Sequence, residues 1–462
     1  MGAWLRTSTE TWAAGLDPVG AGGLFRDRRL SDLIDRTMSG SPLYRRRNRG
    51  ARCLADFEPI AKTELMANFD EWATDRAVTL LAAEAFVADP ACIADAWLDR
   101  YLVWTSSGTS GHPGLFVQDG ASLAAYDAID AQRLRGNGIG TSTLGWWGLG
   151  RRFAFVGAIG GHFAGHVSFE RLRRIVPAPL APETHMISVL EPLTRIAERL
   201  QAIRPDVLIT YPSCGAALAQ LQAEGLLNIA PQEVWLGGEQ LSPAQRRTLQ
   251  SAFGCTVRNA YGASEFYSIA FECALGHLHL NDDWVVLEAL DAQLRPVSPG
   301  ELSSVTLLTN LANQTQPLLR YRLDDLVRFA AEPCACGCAF PVIEVHGRCD
   351  DTLQLPGRDG RRVSILPLAL ETLVEERTGL SRFQVLQGHG ADLELRLDPT
   401  VPNTRAALEA CRVAVAAFLE GHGAVGTRIV LSRRAPMQQA GSGKLRRVIN
   451  AGSQSRPQRV RA

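Results

Sequence analysis

The sequence predicts an α/β protein with a large N-terminal doubly wound domain, a β-rich subdomain and a small α+β C-terminal domain. Three observations predict this fold class. Apolar strand-like segments alternate with helix-like segments between residues 152 and 260, as in a mostly parallel sheet covered by helices. From Trp284 the apolar segments become short and β-rich, and beyond Arg362 a compact alternation of helices and strands begins again.

Length, composition and charge fit a globular protein of two or three domains. The chain has 462 residues, of which 46% are hydrophobic and 21% are charged. Lys plus Arg and Asp plus Glu both number 48, so no global field attracts nucleic acid or a membrane. No apolar run is long enough for a membrane span, and the first ten residues lack a signal-peptide core. We therefore expect a cytoplasmic protein with reduced cysteines and without nucleic-acid or membrane partners.

The first hundred residues are predicted to be mostly helical, because apolar residues recur at helical spacing, most clearly from Leu80 to Leu98. They contain one basic run, Arg45-Arg46-Arg47-Asn48-Arg49. A solvated face is the favoured interpretation of this run, and phosphate binding is the alternative.

The doubly wound domain is predicted from its helices and strands in order. A helix from Ser122 to Arg135 begins at a serine cap. Strands are predicted at Arg152 to Gly157, Asp206 to Thr210, Glu233 to Leu236 and Cys255 to Ala260, and helices at Pro192 to Ile203, Gly215 to Ala223 and Gln245 to Phe253. The glycine-rich stretch 157–165 between them is predicted to be a turn that closely approaches a ligand pocket.

Three loops rich in glycine, hydroxyl or acidic residues follow predicted strands, and ligands collect at such strand ends. They are residues 106–113, Gly237-Gly238-Glu239 and Tyr261-Gly262-Ala263-Ser264-Glu265. The first follows the apolar run Tyr101 to Trp104, and its converging amides and hydroxyls suit a polyphosphate. It is not a Walker A motif, because no Gly-Lys-Ser/Thr follows. An ordinary Ser/Gly surface loop is the alternative.

The remaining chain is predicted to hold a β-rich portion and a separate C-terminal domain of about 110 residues. Short β-rich segments are predicted at Val285 to Leu290, Ser304 to Leu308 and Leu318 to Phe329. The C-terminal elements are predicted as a helix at Leu366 to Arg377, strands at Phe383 to Gln387 and Leu393 to Leu397, a helix at Thr404 to Leu419 and a strand at Arg428 to Ser432.

Five motifs in this order resemble those of the adenylate-forming enzymes, and within them the phenylacetate–coenzyme A ligase family. They are Thr105 to Pro113, Tyr261 to Glu265, Tyr321-Arg322-Leu323-Asp324-Asp325-Leu326, Gly347-Arg348-Cys349-Asp350-Asp351 and Gly441-Ser442-Gly443-Lys444. The resemblance implies an N-terminal adenylation domain over residues 1–348 and a mobile C-terminal domain over residues 349–462. It also implies that Asp350 is the hinge and that Lys444 is catalytic.

The implied activity is activation of a carboxylic acid, expected to be aromatic, by ATP. Pyrophosphate leaves, and the acyl group of the acyl-adenylate passes to coenzyme A. Lys444 would bridge the carboxylate and the α-phosphate. Glu265 would hold Mg²⁺, with a helix-start acid as the alternative. Asp325 would bind both ribose hydroxyls, with Asp324 as the competing candidate.

The resemblance also implies further contacts with both substrates. The nucleotide contacts are Ser107, Gly108, Thr109, Ser110, Gly111, Gly238, Glu239, Tyr261, Gly262 and Arg348, of which Arg348 could instead make a structural ion pair. The candidates for the acid pocket are Tyr211, Ser213, Gly238 and Ala260, for which plain packing is the alternative.

A second group of residues has the donor chemistry of a structural zinc site. Zinc prefers thiolate and imidazole, which Cys273, His279, Cys334 and Cys336 would supply. Some members of the resembled family carry a similar site. Cys338 and His277 are alternative ligands, and buried thiols without a metal are the competing interpretation.

Departures from the family pattern leave parts of the function open. Gly114 stands where many relatives outside this subfamily carry lysine, so the phosphate loop supplies no cation. Leu323 replaces the usual threonine of the ribose motif, and the segment 357–363 is longer and more charged than usual. The acceptor could therefore be a carrier protein or an amine instead of coenzyme A. A catalytically silent nucleotide-binding protein is a further alternative for the function. For the oligomeric state, a homodimer is left open.

Overall fold

The computed structural model describes residues 2–106, 114–134, 151–175, 182–239, 241, 243–323, 325–346, 353–365, 367–378, 383–388, 390–397, 404–437 and 447–450. Within these residues, no helix combines the length and the apolar character that crossing a membrane requires.

The N-terminal hundred residues are mostly helical, as predicted. The helices are α1 (Gly2–Leu16), α2 (Gly23–Gly40), α3 (Pro42–Arg47), α4 (Lys62–Ala67), α5 (Phe69–Trp72) and α6 (Leu80–Val87). The basic run closes α3, where positive charge favours a helix C-terminus. Arg46 pairs with Glu71, and Arg47 pairs with Glu64, so these arginines form ion pairs at the surface.

The predicted phosphate loop joins two antiparallel strands. β1 (Leu102–Thr105) pairs with β2 (Leu115–Gln118) in a separate two-stranded sheet. The expectation that this loop follows a strand of the doubly wound sheet is therefore wrong. A buried hairpin strand such as β1, with Val103 and Trp104 inaccessible to solvent, has the same apolar sequence as a buried parallel strand. The amide of Thr105 ties the hairpin to the loop after β3 of the large sheet by donating to the carbonyl of His162 at 2.7 Å.

The next helix, α7 (Gly120–Ile129), begins before the predicted serine cap. One carboxylate oxygen of Asp119 accepts hydrogen bonds from the amides of Ala121 and Ser122 at 3.0 and 2.8 Å. Asp119 is therefore the cap, and the hydroxyl of Ser122 only donates back to the Asp119 carbonyl. The helix continues as a π-helical turn, Asp130–Leu134.

The α/β core alternates strands and helices as predicted. Its strands are β3 (Arg152–Gly157), β4 (Glu183–Ser188), β5 (Val207–Thr210), β6 (Glu233–Leu236) and β7 (Thr256–Tyr261), with β8 (Ala270–Glu272) and β9 (Leu278–Leu280) after them. Its helices are α8 (Ala164–Ile175), α9 (Leu193–Ile203), α10 (Pro212–Ala223) and α11 (Pro243–Phe253). Helix α8 and strand β4 were not predicted, because their many polar residues obscure the periodic spacing of the apolar ones.

The parallel part of the large sheet has the strand order β4-β3-β5-β6-β7. The connection after β3 leads outward to β4, and the next one crosses back to β5. This reversal is the doubly wound arrangement that the sequence predicts, and its switch point lies between β3 and β5. Buried Val156, Leu208 and Val234 place the apolar core along these strands.

The β-rich region is divided between two sheets. Its strands are β10 (Val285–Leu290), β11 (Val305–Asn310), β12 (Leu318–Leu323), β13 (Leu326–Phe329) and β14 (Val342–His346). The first three form an antiparallel sheet, whereas β13 and β14 extend the large sheet beyond β9. The β-rich segment predicted from Leu318 to Phe329 holds two strands, because the chain changes sheets between Leu323 and Leu326.

The C-terminal region is α+β, as predicted. Its elements are β15 (Leu353–Pro356), β16 (Arg362–Ile365), α12 (Pro367–Thr378), β17 (Phe383–Gln387), β18 (Leu393–Leu397), α13 (Thr404–Gly421), β19 (Ile429–Leu431) and β20 (Val448–Asn450). Four of the strands form one sheet in the order β19-β18-β17-β20. Polar contacts join this region to the α/β core, including one of 3.2 Å between Nε2 of His422 and the Glu191 carbonyl.

Candidate functional site

A cavity of about 1390 Å³ opens at the carboxyl ends of the parallel strands. The loops after β3, β5, β6 and β7 all contribute to its lining, and so do Thr105 and Ser106 at the end of β1. The Gly237–Glu239 and Tyr261–Glu265 loops therefore meet in one place. Such a cavity beside a switch point is where ligands bind in open α/β sheets.

Two loops at the switch point are joined by a hydrogen bond. The amide of Ala158, after β3, donates to the hydroxyl oxygen of Tyr211, after β5, at 3.0 Å. Burial raises the pKa of Tyr211 to about 12, so this hydroxyl is neutral near neutral pH. Gly238 lies against the same ring with φ of +78°, and a Cβ there would approach the ring within 3.1 Å. A glycine at 238 therefore lets the two walls close on each other.

The predicted acid-pocket residues are only partly brought together. Tyr211, Gly238 and Ala260 line the cavity. Ser213 lies in α10, and its side chain is outside the described part of the chain. Nearby walls are aromatic, because Phe155 stacks on Phe169 with ring centroids 5.4 Å apart. Neither phenylalanine was predicted to be a site residue, although strand β3, which contains Phe155, was predicted correctly.

Tyr261 and Asp325 connect two of the recognised motifs. The hydroxyl of Tyr261 donates to Oδ2 of Asp325 at 3.0 Å, and both residues line the cavity. This contact holds the carboxylate of Asp325 beside the end of β7. Asp324, the competing candidate for the ribose contact, lies outside the described residues.

Glu265 is a buried carboxylate fixed by several elements. The hydroxyl of Tyr321 in β12 donates to Oε1 of Glu265 at 2.5 Å. The Glu265 carbonyl accepts from Nδ2 of Asn310 in β11 at 2.9 Å, and the Ser264 carbonyl accepts from Nε1 of Trp104 in β1 at 2.8 Å. Glu265 lies in the connection between β7 and β8, where no helix begins, so the helix-start alternative is wrong. A preorganised carboxylate lining a cavity suits Mg²⁺.

The fold of this connection requires glycine at 262. A Cβ built there would lie 1.9 Å from the carbonyl oxygen of Tyr267, so the chain folds back directly onto itself. The ring of Tyr267 packs 6.0 Å from both Trp104 and Tyr126. These aromatic contacts hold the turn that presents Glu265.

Tyr321 orients one of the candidate site carboxylates, a contact that was not predicted although Tyr321 stands in one of the five motifs. Its side chain is buried, and its hydroxyl group donates to the carboxylate of Glu265. The signal available in the sequence was that this tyrosine begins the motif that contains Asp324. The sequence alone does not show which side of the strand the tyrosine faces, and therefore not that it contacts Glu265.

The four predicted zinc ligands converge at one end of the large sheet. The candidate donor atoms of Cys273, His279, Cys334 and Cys336 all lie within 4.8 Å of one another. Cys273 follows β8, His279 lies in β9, and both other cysteines lie between β13 and β14. Because β14 pairs with β9, the two ligand pairs meet although about 55 residues separate them.

Neighbouring groups orient this cluster. Nδ1 of His279 lies 2.8 Å from the Phe340 carbonyl, so that Nε2 faces Sγ of Cys336 at 3.3 Å. Burial alone would raise the pKa of the Cys334 thiol, but hydrogen bonding from His277 and the Cys336 amide lowers it to about 6. Zinc binds thiolates and neutral imidazole nitrogens. A thiol with a lowered pKa and an imidazole whose orientation is fixed therefore fit this ion.

His277 is close enough to compete as a ligand. Its Nδ1 lies 3.1 Å from Sγ of Cys334, which agrees with its selection as an alternative from the sequence. Cys338 contributes its backbone amide, which donates to Sγ of Cys336 at 3.4 Å.

Several predicted site residues fall outside the described chain. They are Ser107, Gly108, Thr109, Ser110, Gly111, Arg348, Asp350 and Lys444. Their roles in phosphate binding, hinge motion and catalysis stay predictions.

Comparisons with known proteins support the resemblance read from the motifs. No family model matches the chain. The chain is similar to curated proteins named phenylacetate-coenzyme A ligase. The one from Thermus thermophilus is 24% identical over 381 residues, covering 75% of this chain and 80% of that protein. The one from Aromatoleum evansii is 24% identical over 311 residues, covering 64% of this chain and 65% of that protein.

A solved structure shares the fold over nearly the whole chain. It is 2-hydroxyisobutyryl-CoA ligase in complex with 2-HIB-AMP and CoA, in its thioesterification state. The TM-score is 0.57 at 20% identity, and the match covers 93% of this chain and 89% of that one. The predicted fold class, a large α/β body with a C-terminal α+β region, is confirmed.

Proposed function

We propose that this protein is an AMP-forming acid–thiol ligase, which activates a carboxylic acid with ATP and passes the acyl group to coenzyme A. One observation carries the proposal. Two tyrosine–carboxylate hydrogen bonds, Tyr261 to Asp325 and Tyr321 to Glu265, join the recognised motifs at the lining of one cavity. The named relatives, which are coenzyme A ligases, support the same activity.

The acid is proposed to be aromatic. Phe155, Phe169 and Tyr211 line the cavity near the switch point, where apolar aromatic faces favour a ring. Gly238 and Ala260 add no bulky side chain to this part of the cavity lining. The names of the curated relatives agree with an aryl acid.

Each site residue has a defined role in this proposal. Asp325 accepts hydrogen bonds from the ribose hydroxyls, and Glu265 holds Mg²⁺, which would neutralise charge on the phosphates. Lys444 places its ammonium between the acid carboxylate and the α-phosphate, because two anions must meet there. The adenylate then reacts with a thiol, and AMP leaves.

Acid-dependent release of pyrophosphate tests the first half of this function. We expect release from ATP and Mg²⁺ with one or more aryl acids, and thioester formation when coenzyme A is added. Absence of pyrophosphate release with every acid would favour the silent nucleotide-binding alternative. Release without a thioester would instead favour a carrier protein or an amine as the acceptor.

Cys273, His279, Cys334 and Cys336 are proposed to hold a structural Zn²⁺. The support is their convergence within 4.8 Å and the orientation of His279 by the Phe340 carbonyl. With four protein ligands such a site is closed, so its role is to hold β8, β9 and the β13–β14 connection together. A cytoplasmic location belongs to the same proposal, because a reducing compartment keeps these thiols available.

A further inference from the structure

The distribution of lysine in the sequence singles out one residue that has no role so far. The chain contains only two lysines, Lys62 and Lys444, and all other residues among its 48 Lys plus Arg are arginines. An ammonium is a compact charge on a flexible stem, whereas a guanidinium is a broad planar fork. Lys444 is the predicted catalytic lysine, and the structure shows where Lys62 lies.

Lys62 is part of the cavity lining, together with Thr105 and Ser106. It opens helix α4 and is half-buried. Its aliphatic stem lies against Gly114, because a Cβ built on that glycine would be 3.1 Å from Cδ of Lys62. The lysine therefore reaches the cavity across the base of the predicted phosphate loop.

The base of that loop is closed by two hydrogen bonds. The amide of Ser106 donates to the Gly114 carbonyl, and the amide of Gly114 donates to Oγ of Ser106, both at 2.8 Å. Helix α4 packs against this closure through a second residue, since Sδ of Met66 lies 3.5 Å from the Leu115 amide. Lys62 and Met66 are four residues apart and face the same side of the helix.

Gly114 has no room for a side chain of its own. A Cβ there would approach Cε2 of Phe116 at 2.7 Å and Oγ of Ser106 at 3.0 Å, in addition to the stem of Lys62. A lysine at 114, as many relatives outside this subfamily carry, would therefore collide with its surroundings. The stem of Lys62 is one of the three groups that crowd this position.

The segment before α4 is fixed relative to Glu265. Ile60 forms a bridge with Tyr321, because its amide donates to the Arg320 carbonyl at 3.1 Å and its carbonyl accepts from the Arg322 amide at 2.9 Å. Tyr321 is the residue that holds Glu265. Strand β12 therefore fixes the position of Glu265, the proposed Mg²⁺ ligand. It also fixes the position of Lys62, which lies two residues beyond Ile60.

We propose that Lys62 binds the phosphates of ATP that leave as pyrophosphate, supplying from α4 the cation that the phosphate loop lacks at Gly114. This inference rests on the proposed ATP-dependent function. The lysine acts by binding charge, and it lines the same cavity as Glu265.

Equilibrium binding of ATP, pyrophosphate and AMP with Mg²⁺ tests the assignment in the full-length protein. Lys62→Met keeps the apolar stem and removes the charge. We expect affinity for ATP and pyrophosphate to fall about ten- to hundredfold, because charged hydrogen bonds contribute that much. Affinity for AMP, which has no β- or γ-phosphate, should stay within about twofold of wild type, which also shows that the variant is folded.

Two companion variants sharpen the test. Lys62→Arg restores the charge and should recover most of the ATP affinity. Thr63→Ala changes the exposed neighbour on the same helix and should bind ATP as the wild type does. Equal ATP affinity in wild type and Lys62→Met would overturn the proposal, and so would equal losses in the Met and Arg variants or a parallel loss of AMP binding. A wild-type protein that binds no ATP would instead reject the proposed function itself.

Discussion

At the scale of single residues, each proposed site carboxylate accepts a hydrogen bond from one tyrosine. Asp325 accepts from Tyr261, and Glu265 accepts from Tyr321. A hydroxyl donor fixes the orientation of a carboxylate without neutralising its charge. Removing the carboxylate and removing the tyrosine hydroxyl should therefore have different effects.

Replacing Asp325 by alanine should weaken ATP binding, because the ribose loses a charged acceptor worth about 1.5–3 kcal/mol. The measurement is the dissociation constant of ATP. Asp324→Ala is the matched control, since it removes a neighbouring carboxylate. If that control loses ATP affinity while Asp325→Ala retains it, the assignment is shifted by one residue.

Replacing Tyr321 by phenylalanine should raise the Mg²⁺ concentration needed for half-maximal pyrophosphate release, by roughly tenfold or more. The carboxylate of Glu265 remains, but it loses the hydroxyl that orients it. Tyr261→Phe is the control, because it removes the hydroxyl beside Asp325 and should leave the Mg²⁺ dependence near the wild-type value. The same Mg²⁺ requirement in Tyr321→Phe and wild type would contradict the role of this hydrogen bond.

At the scale of elements, the metal cluster joins parts of the chain that are distant in sequence. It connects the β8–β9 hairpin to the segment between β13 and β14. Backbone pairing between β9 and β14 is short, at two residue pairs. Metal coordination would therefore supply much of the connection at this end of the sheet.

Protein purified without chelator should contain about one zinc per chain, a stoichiometry expected for a four-ligand structural site. Removing the metal should lower the melting temperature and increase amide exchange in β8, β9 and β14. Acidification should release the metal as thiolate and imidazole ligands take up protons. Cys336→Ser should lose zinc, whereas Cys53→Ser, an exposed thiol elsewhere, should keep it. Protein without zinc would end this proposal.

Element bounds were predictable where burial and periodicity act together, as in β3, β6 and β10, whose predicted and observed limits coincide. Strand partners and helix caps were less predictable where contacts between distant parts of the chain determine them. The run Tyr101 to Trp104 suits either a parallel strand or a hairpin, and only the partner strand distinguishes them. Asp119, and not Ser122, is the cap of α7 because its carboxylate accepts from two amides. Predicting this cap would require the conformation of the loop before the helix.

Candidate site residues were predictable to the extent that motifs carry them. Tyr261, Glu265 and Asp325 were identified because they stand in recognisable motifs. Lys62, Phe155 and Phe169 were not, because each lies in an unremarkable stretch and acts only through the neighbours that folding provides. Side-chain direction and long-range contact, rather than residue type, were the missing information.

At the scale of the whole molecule, the proposed reaction has two stages with different requirements. Adenylation needs Lys444 at the phosphates, whereas thioester formation needs room for an incoming thiol. The domain division at residues 348 and 349 and the hinge at Asp350 are predictions from the sequence. A rigid-body rotation about a few residues would satisfy both stages.

Asp350→Pro should uncouple the two half-reactions, because proline restricts φ and removes an amide donor. One half-reaction should persist while the other falls. Pyrophosphate release and acyl transfer from supplied acyl-adenylate are measured separately on folded protein. Lys444→Ala is the comparison variant, and it should lower adenylation by about 10²–10³-fold while affecting acyl transfer less. Proportional changes of both rates in Asp350→Pro would contradict the hinge assignment.

The scarcity of lysine also gives this molecule an unusual spectroscopic simplicity. Reductive methylation with ¹³C-formaldehyde would label only Lys62, Lys444 and the terminal amine, while each modified amine keeps its positive charge. A carbon–proton correlation spectrum would then contain one resolved probe in helix α4 and one near the C-terminus. Their chemical shifts, followed through separate additions of ATP, pyrophosphate and AMP, would report which of these ligands each amine contacts, without any engineered label.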